Sequence, residues 1–185
     1  FSDLTTYLGL SPSQMAETVL HCPRCNKDHK IPFKFVKSER HLIDLVPDVL
    51  ETVLGRRVDG IGVVYDRQIE EKVVASFLEP LKKSGLSLTP IPLGEKGSLL
   101  RPSVEVGDQA AKNLPDGLDV LIGIGSGVIS DLTKWIATKR DLPFILVGSA
   151  ASMNAYTSIT ATMTEDNIKT SRWLDPASAV LLDGD

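Results

Sequence analysis

The sequence predicts a doubly wound α/β domain, a parallel sheet with helices on both faces, and three observations carry that prediction. Uninterrupted apolar runs at 60–65, 120–124 and 143–148 have the character of strands buried on both sides. Segments of helical period separate them. The alternation of strand and helix is regular, which favours right-handed crossovers between neighbouring parallel strands.

Residues 1–30 form an N-terminal extension. Within 1–20, Leu4, Tyr7, Leu8, Leu10, Met15, Val19 and Leu20 stand among polar neighbours, so a short helix or two is expected, broken at Pro12. Residues 21–30 are polar and contain both cysteines. The α/β domain then occupies 31–185. Alternation over 31–36 predicts a first strand, and 42–54 a helix stopped by Gly55. The run 60–65 ends at Asp66 as a buried strand. Ile69, Val73, Phe77 and Leu81 recur every four residues and predict a helix over 67–83, with Gly85 as its stop. A strand over 86–93, a helix over 103–113 and a strand over 120–124 follow, the last entering Gly125-Ser126-Gly127. Next come a helix over 128–138, with Ile129, Leu132 and Ile136 inward, and a strand over 143–148. Beyond residue 150 the alternation weakens, and strands over 157–164 and 179–182 are expected to be joined by the polar stretch 165–171.

Composition narrows the function. Hydrophobic residues make up 42% and charged residues 24%, ordinary for a globular protein, and a domain of this size buries about 70% of its unfolded surface. The net charge is −4 and the basic residues are scattered, which argues against a nucleic-acid partner. There is no apolar run of about 18 residues to span a membrane, and no basic-then-apolar N-terminus of a signal peptide, so the expected location is cytoplasmic.

The strand-to-helix turn at Gly125, Ser126 and Gly127 is the first candidate site. Glycines there let a ligand approach the backbone, and the following helix offers unpaired N–H groups and a partial positive charge to a phosphate. Ser130 stands where the third glycine of the common dinucleotide fingerprint would fall. Asp131 lies one turn into the helix, either as a dipole partner or as a functional acid. Asp66, at a strand end, has the place of an acid that accepts hydrogen bonds from a ribose, although surface aspartates are equally common there. The loop after the 143–148 strand carries Ser149, Ser152, Asn154 and Tyr156, whose polar groups are placed to meet a ligand. Finally, Cys22, Cys25 and His29 have the spacing of a small structural zinc knuckle, with His21 or His41 as a fourth ligand. Free thiols or a disulfide are the alternatives, and free thiols are the default in a reducing compartment.

The run from Gly125 through Asp131 to Trp135, followed by 142–147 and by Ser152-Met153-Asn154-Ala155-Tyr156-Thr157-Ser158, resembles the sn-glycerol-1-phosphate dehydrogenases. These belong to the superfamily of iron-containing alcohol dehydrogenases, glycerol dehydrogenase and 3-dehydroquinate synthase. The resemblance spans about residue 31 to the C-terminus. It implies a Rossmann-like nucleotide domain, with the family's C-terminal helical domain absent from this chain, and NAD or NADP as cofactor. It further implies a divalent metal (zinc, nickel or iron) with a phosphorylated alcohol in the interdomain cleft. Gly125, Ser126 and Gly127 then bind the pyrophosphate, and Asp131 lies by the nicotinamide. Asp66 lies by the adenosine ribose, and Ser149 and Ser152 line the cleft. Asn154 takes the place of a metal-binding aspartate, removing one negative charge from that site.

Two readings follow. One is the cofactor domain of an NAD(P)-dependent oxidoreductase acting on a polyol phosphate, with Asp131 and Asn154 in its catalytic centre. The other is a nucleotide-binding or sensor module that has lost the metal site. Assembly into a homo-oligomer is left open.

Overall fold

The computed structural model describes residues 9–11, 14–15, 18–30, 33–39, 42–149 and 155–183. The helix expected within 1–20 lies largely outside these residues. Six strands form one parallel sheet: β3 (Phe35–Glu39), β4 (Ile61–Asp66), β5 (Leu88–Leu93), β6 (Val120–Gly125), β7 (Phe144–Gly148) and β10 (Ala179–Asp183). Their order across the sheet is β3-β10-β7-β6-β4-β5. Two antiparallel hairpins stand apart from it, β1 (Val19–Cys22) with β2 (Lys27–Lys30), and β8 (Thr160–Glu165) with β9 (Ile168–Trp173).

The sheet divides two cores, as a doubly wound fold requires. Along β6, Leu121 points to one face, while Val120, Ile122 and Ile124 point to the other. The second face is covered by α1 (Val46–Leu54), preceded by a 3-10 turn at Leu42–Leu45, and by the long helical segment α2 (67–83). Buried Val46, Val49, Leu50 and Val53 give α1 its inner stripe, and Gly55 closes it in the left-handed conformation at φ 66°. The first face is covered by α3 (Val104–Asn113) and α4 (Gly127–Arg140).

Segment α2 is not a uniform α-helix. It opens as a 3-10 turn at Arg67–Ile69, continues as Glu70–Val73, widens to a π-helix at Val74–Leu78 and ends as Glu79–Lys83. The apolar repeat of four explains this. Each step of four residues turns about 40° too far on an α-helix of 3.6 residues per turn, and a wider turn takes part of that drift back. Pro80, which has no N–H to donate, stands two residues past the end of the π segment, the usual context for such a distortion.

Several boundaries differ from those expected. The first strand begins at Phe35 rather than 31, because its extent is set by pairing with β10 (Ala179 opposite Phe35), which the local pattern does not display. Strand β5 starts at Leu88 and is a sheet edge, so the missing N–H groups of Pro90 and Pro92 break no ladder. The polar stretch 165–171 is not a linker: it turns at Asp166 and Asn167, both at positive φ (49° and 63°), and runs back as β9. The polar 21–30 segment is likewise mostly hairpin.

Candidate functional site

Strands β4 and β6 are neighbours, but the chain leaves β4 for β5 on one side and β6 for β7 on the other. Their carboxyl ends therefore diverge, opening the crevice in which sheets of this topology take ligands. Asp66, Gly125 and Ser149 lie along this edge.

Gly125 has φ 151°, a conformation that side-chain-bearing residues rarely adopt, and a Cβ there would stand 3.1 Å from Ile129 Cγ1. Its carbonyl accepts two hydrogen bonds, from Ser149 N–H at 3.2 Å and from the Tyr156 hydroxyl at 2.8 Å. The ends of β6 and β7 are thereby locked together. Gly148 makes this possible, since a Cβ at that position would lie 2.9 Å from the Tyr156 ring.

Ser126 follows as the N-cap of α4. At α3 the equivalent residue, Ser103, accepts a hydrogen bond from Val106 N–H at 3.3 Å. Ser126 is exposed and makes no such bond to its own helix. The first turn of α4, a 14-residue helix, thus has no acceptor from its own cap, and its N–H groups emerge behind a residue with no side chain. That arrangement suits an anionic ligand.

Asp66 is half-buried and caps the turn that follows it, accepting from Gln68 N–H at 2.9 Å. The Gln68 side chain donates to Glu95 O (2.9 Å) and Ser98 O (2.7 Å), while Arg67 Nε donates to Gly94 O (3.1 Å). These bonds tie the 94–98 segment beside Asp66, and a cavity of about 600 Å³ begins there, lined in part by Gly94, Ser98, Ser103 and Thr164. Behind Asp66, the buried Tyr65 hydroxyl donates to Glu70 Oε1 at 3.1 Å. Its pKa is pushed up to about 12, first by burial and then by the Glu70 carboxylate.

Asp131 and Lys134 sit one turn apart on α4, both buried, Lys134 completely. The edge of β8 not paired with β9 receives them. Thr162 N–H donates to the Asp131 carboxylate, Lys134 Nζ donates to Thr160 O at 3.2 Å, and Thr164 N–H donates to Pro102 O at 2.8 Å. Alternate residues of the strand thus hand their outward backbone groups to the domain, which docks the hairpin and covers its edge. Burial raises the Asp131 pKa, opposed by Lys134 and by the Thr162 N–H, and burial lowers that of Lys134, opposed by Asp131. The sequence reading assigned no role to Lys134, and it placed Tyr156 in a ligand-facing loop, whereas its hydroxyl is spent on the Gly125 carbonyl. The signal for Lys134 was its i, i+3 spacing from Asp131 in a helix with little polar surface.

Ser152 and Asn154 lie outside the described residues, as does His41. Cys22, Cys25 and His29 do come together, with ligand atoms all within 4.8 Å of one another. His21, weighed as a fourth ligand, does not join them: it stands within hydrogen-bonding distance of Asp28 Oδ1 (2.8 Å) and Asn26 Oδ1 (3.2 Å). Adjacent residues of a strand face opposite ways, so Cys22 and His21 occupy different faces of the hairpin.

The family model of the iron-containing alcohol dehydrogenases matches residues 38–185. The chain belongs to the iron-containing alcohol dehydrogenase family. Among relatives within it, glycerol-1-phosphate dehydrogenase of Geobacillus stearothermophilus is 28% identical over 116 residues, 62% of this chain. The chain spans only 28% of that relative's length. The fold is shared with glycerol dehydrogenase from Schizosaccharomyces pombe, at TM-score 0.67 and 23% identity over 82% of this chain and 37% of that one. It is shared also with sulfoacetaldehyde reductase from Bifidobacterium kashiwanohense, solved in complex with NAD+, at TM-score 0.69 and 15% identity over 84% and 46% of the two chains. Within the iron-containing alcohol dehydrogenase family, then, this chain corresponds to the doubly wound part of its relatives, and among the described residues no helix is long and apolar enough to cross a membrane.

Proposed function

We propose that residues 31–185 are the cofactor-binding domain of an NAD(P)-dependent dehydrogenase acting on a phosphorylated polyol of the glycerol 1-phosphate type. The observation that carries this reading is the Gly125-Ser126-Gly127 turn at the topological switch point, with its uncapped helix N-terminus and positive-φ glycine. The glycerol-1-phosphate dehydrogenase of Geobacillus stearothermophilus among its relatives, and the NAD+ complex of the Bifidobacterium neighbour, support the cofactor and substrate class.

In this reading the N–H groups following Gly125 receive the pyrophosphate, and the Ser126 hydroxyl, unused by its own helix, donates to a phosphate oxygen. Asp66 keeps one carboxylate oxygen on Gln68 N–H and presents the other to the adenosine ribose. The nicotinamide, when bound, supplies the hydride acceptor. Asp131 acts as a positioning residue: its carboxylate, committed to Thr162 N–H, fixes hairpin β8–β9 against α4 and shapes the wall of the cleft. Ser149, whose N–H is held by Gly125, lines the adjoining edge.

Family members bind a divalent metal, zinc, nickel or iron, through a position that corresponds to Asn154 here. A neutral amide offers a weaker ligand than a carboxylate. That residue favours a second reading, a nucleotide-binding module with lost or altered metal chemistry.

The test is calorimetric titration of the chain with NAD+ and NADP+. Millimolar or tighter binding of NAD+ is expected, weakened about tenfold or more for NADP+, because the Asp66 carboxylate repels a 2′-phosphate. Asp66→Ala is expected to abolish that preference. Absence of heat with either nucleotide contradicts the proposal.

A further inference from the structure

The N-terminal hairpin has no part in the site above, and its stability needs a separate explanation. Strands β1 and β2 have four residues each, every one of them exposed or half-exposed, and among the described residues neither packs extensively on another element. Isolated two-stranded hairpins are marginal in water. Residues 19–30 bring no apolar face to compensate, since Val19 is 56% exposed and β2 is Lys-Asp-His-Lys.

The hairpin does carry a convergent donor set. Cys22 ends β1, and the turn 23–26 closes with Asn26 N–H donating to Cys22 O at 2.8 Å and Asn26 at φ 53°. This returns Cys25 beneath Cys22. His29 is opposite Leu20 in the antiparallel register, two residues along from the Cys22–Lys27 pair, and so on the Cys22 face. Cys25 Sγ and His29 Nε2 lie 2.9 Å apart. Among the described residues this is the one group of three or more His, Cys, Asp or Glu side chains able to share an ion.

We infer that Cys22 Sγ, Cys25 Sγ and His29 Nε2 hold a zinc ion that closes this hairpin, distinct from any metal of the dehydrogenase cleft. Two thiolates and one imidazole on a C-x-x-C turn are a donor set for tetrahedral zinc, with the fourth position left open. The backbone N–H groups of Cys25 and Arg24 point at Cys22 Sγ. Arg24, Lys27 and Lys30 put further positive charge around the thiolates. Tetrahedral bonds of about 2.3 Å to sulphur and 2.1 Å to nitrogen require the Cys25–His29 separation to open to about 3.6 Å, a shift within reach of two exposed side chains. The ion displaces thiol protons to solvent and changes no oxidation state. His21, tied to Asp28 and Asn26, serves the opposite face and is not a ligand.

The experiment uses the reduced 185-residue chain, whose cysteines number two, so a thiolate-to-cobalt charge-transfer absorption on Co2+ addition reports on this hairpin alone. Expected are saturation at about one ion per chain, displacement by Zn2+, loss of the band in both Cys22→Ser and Cys25→Ser, and at least tenfold weaker binding in His29→Ala. His21→Ala should bind as the parent does. A second readout is tryptic cleavage after Arg24, Lys27 and Lys30, expected to slow with Zn2+ in the parent chain and to be indifferent to it in Cys22→Ser. No charge-transfer band in the fully reduced parent chain, a band that survives Cys22→Ser, or cleavage rates unmoved by zinc would each overturn the proposal.

Discussion

Single residues at this sheet edge are constrained by geometry more than by chemistry, and Gly125 is the clearest case. Its φ of 151° strains any side chain, and the 3.1 Å approach of Ile129 crowds a methyl group, so Gly125→Ala is expected to lower stability by about 1–3 kcal/mol. Nucleotide affinity should fall with it. Thermal unfolding beside a nucleotide titration checks both, and an Ala variant as stable as its parent contradicts the assignment. Asp119 works by charge instead. It accepts hydrogen bonds from Gly60 N–H (3.0 Å), Asp59 N–H (3.0 Å) and Arg56 Nη1 (2.7 Å), tying the start of β6 to the start of β4. The Gly60 N–H foremost, then Arg56, lower its pKa from 3.8 to about 2. A depressed carboxylate stabilises the fold above its unfolded pKa and loses that contribution as pH falls toward its folded one. Melting temperature should therefore drop between about pH 4 and about pH 2, and the drop should shrink in Asp119→Asn, the two proteins converging at the acid end. Equal pH dependence would show that Asp119 is not the group responsible.

At the scale of elements, the hairpin β8–β9 is held by Ala161 and Met163 of β8, both in the core, and by two buried, oppositely charged side chains that receive the strand's outer edge. Removing one partner of such a pair leaves the other uncompensated. Lys134→Met is expected to cost about 3 kcal/mol at pH 7, and adding Asp131→Asn should restore most of that loss. Because the Asp131 pKa is already raised by burial, its ionised form is the costly one. The Lys134→Met deficit should thus shrink as pH falls and Asp131 protonates. Strictly additive losses in denaturant unfolding would contradict the pairing. This docking was not legible in the sequence, for a physical reason. Strand β9 is almost wholly exposed, as is β2, so neither carries the alternation that marks a half-buried strand. Only Asp166-Asn167, a pair suited to positive φ, announced the turn. By contrast β4, β6 and β7, buried on both faces, were plain as apolar runs. The π turn of α2 was present in the pattern too, as a repeat of four where an α-helix repeats at 3.6.

Across the whole molecule the strand order accounts for the placement of the site. Inserting β10 between β3 and β7 completes the sheet late in the chain, while the reversal between β4 and β6 puts Asp66 and Gly125 on one crevice although 59 positions separate them in sequence. The glycine-rich turn and Asp66 were readable beforehand, because strand ends and helix starts announce themselves locally. The bond from Tyr156 to Gly125 O was not, because it depends on Gly148, at the end of the neighbouring strand β7, clearing space for the ring. The central claim is that a dinucleotide docks its phosphates on the start of α4. Amide chemical-shift mapping of the chain during titration with NAD+ tests it most directly. The largest shifts are expected at Ser126, Gly127 and Val128, with a second group at 66–68. Shifts confined to the cavity of Gly94, Ser98 and Thr164, with the α4 amides unmoved at saturation, would contradict it.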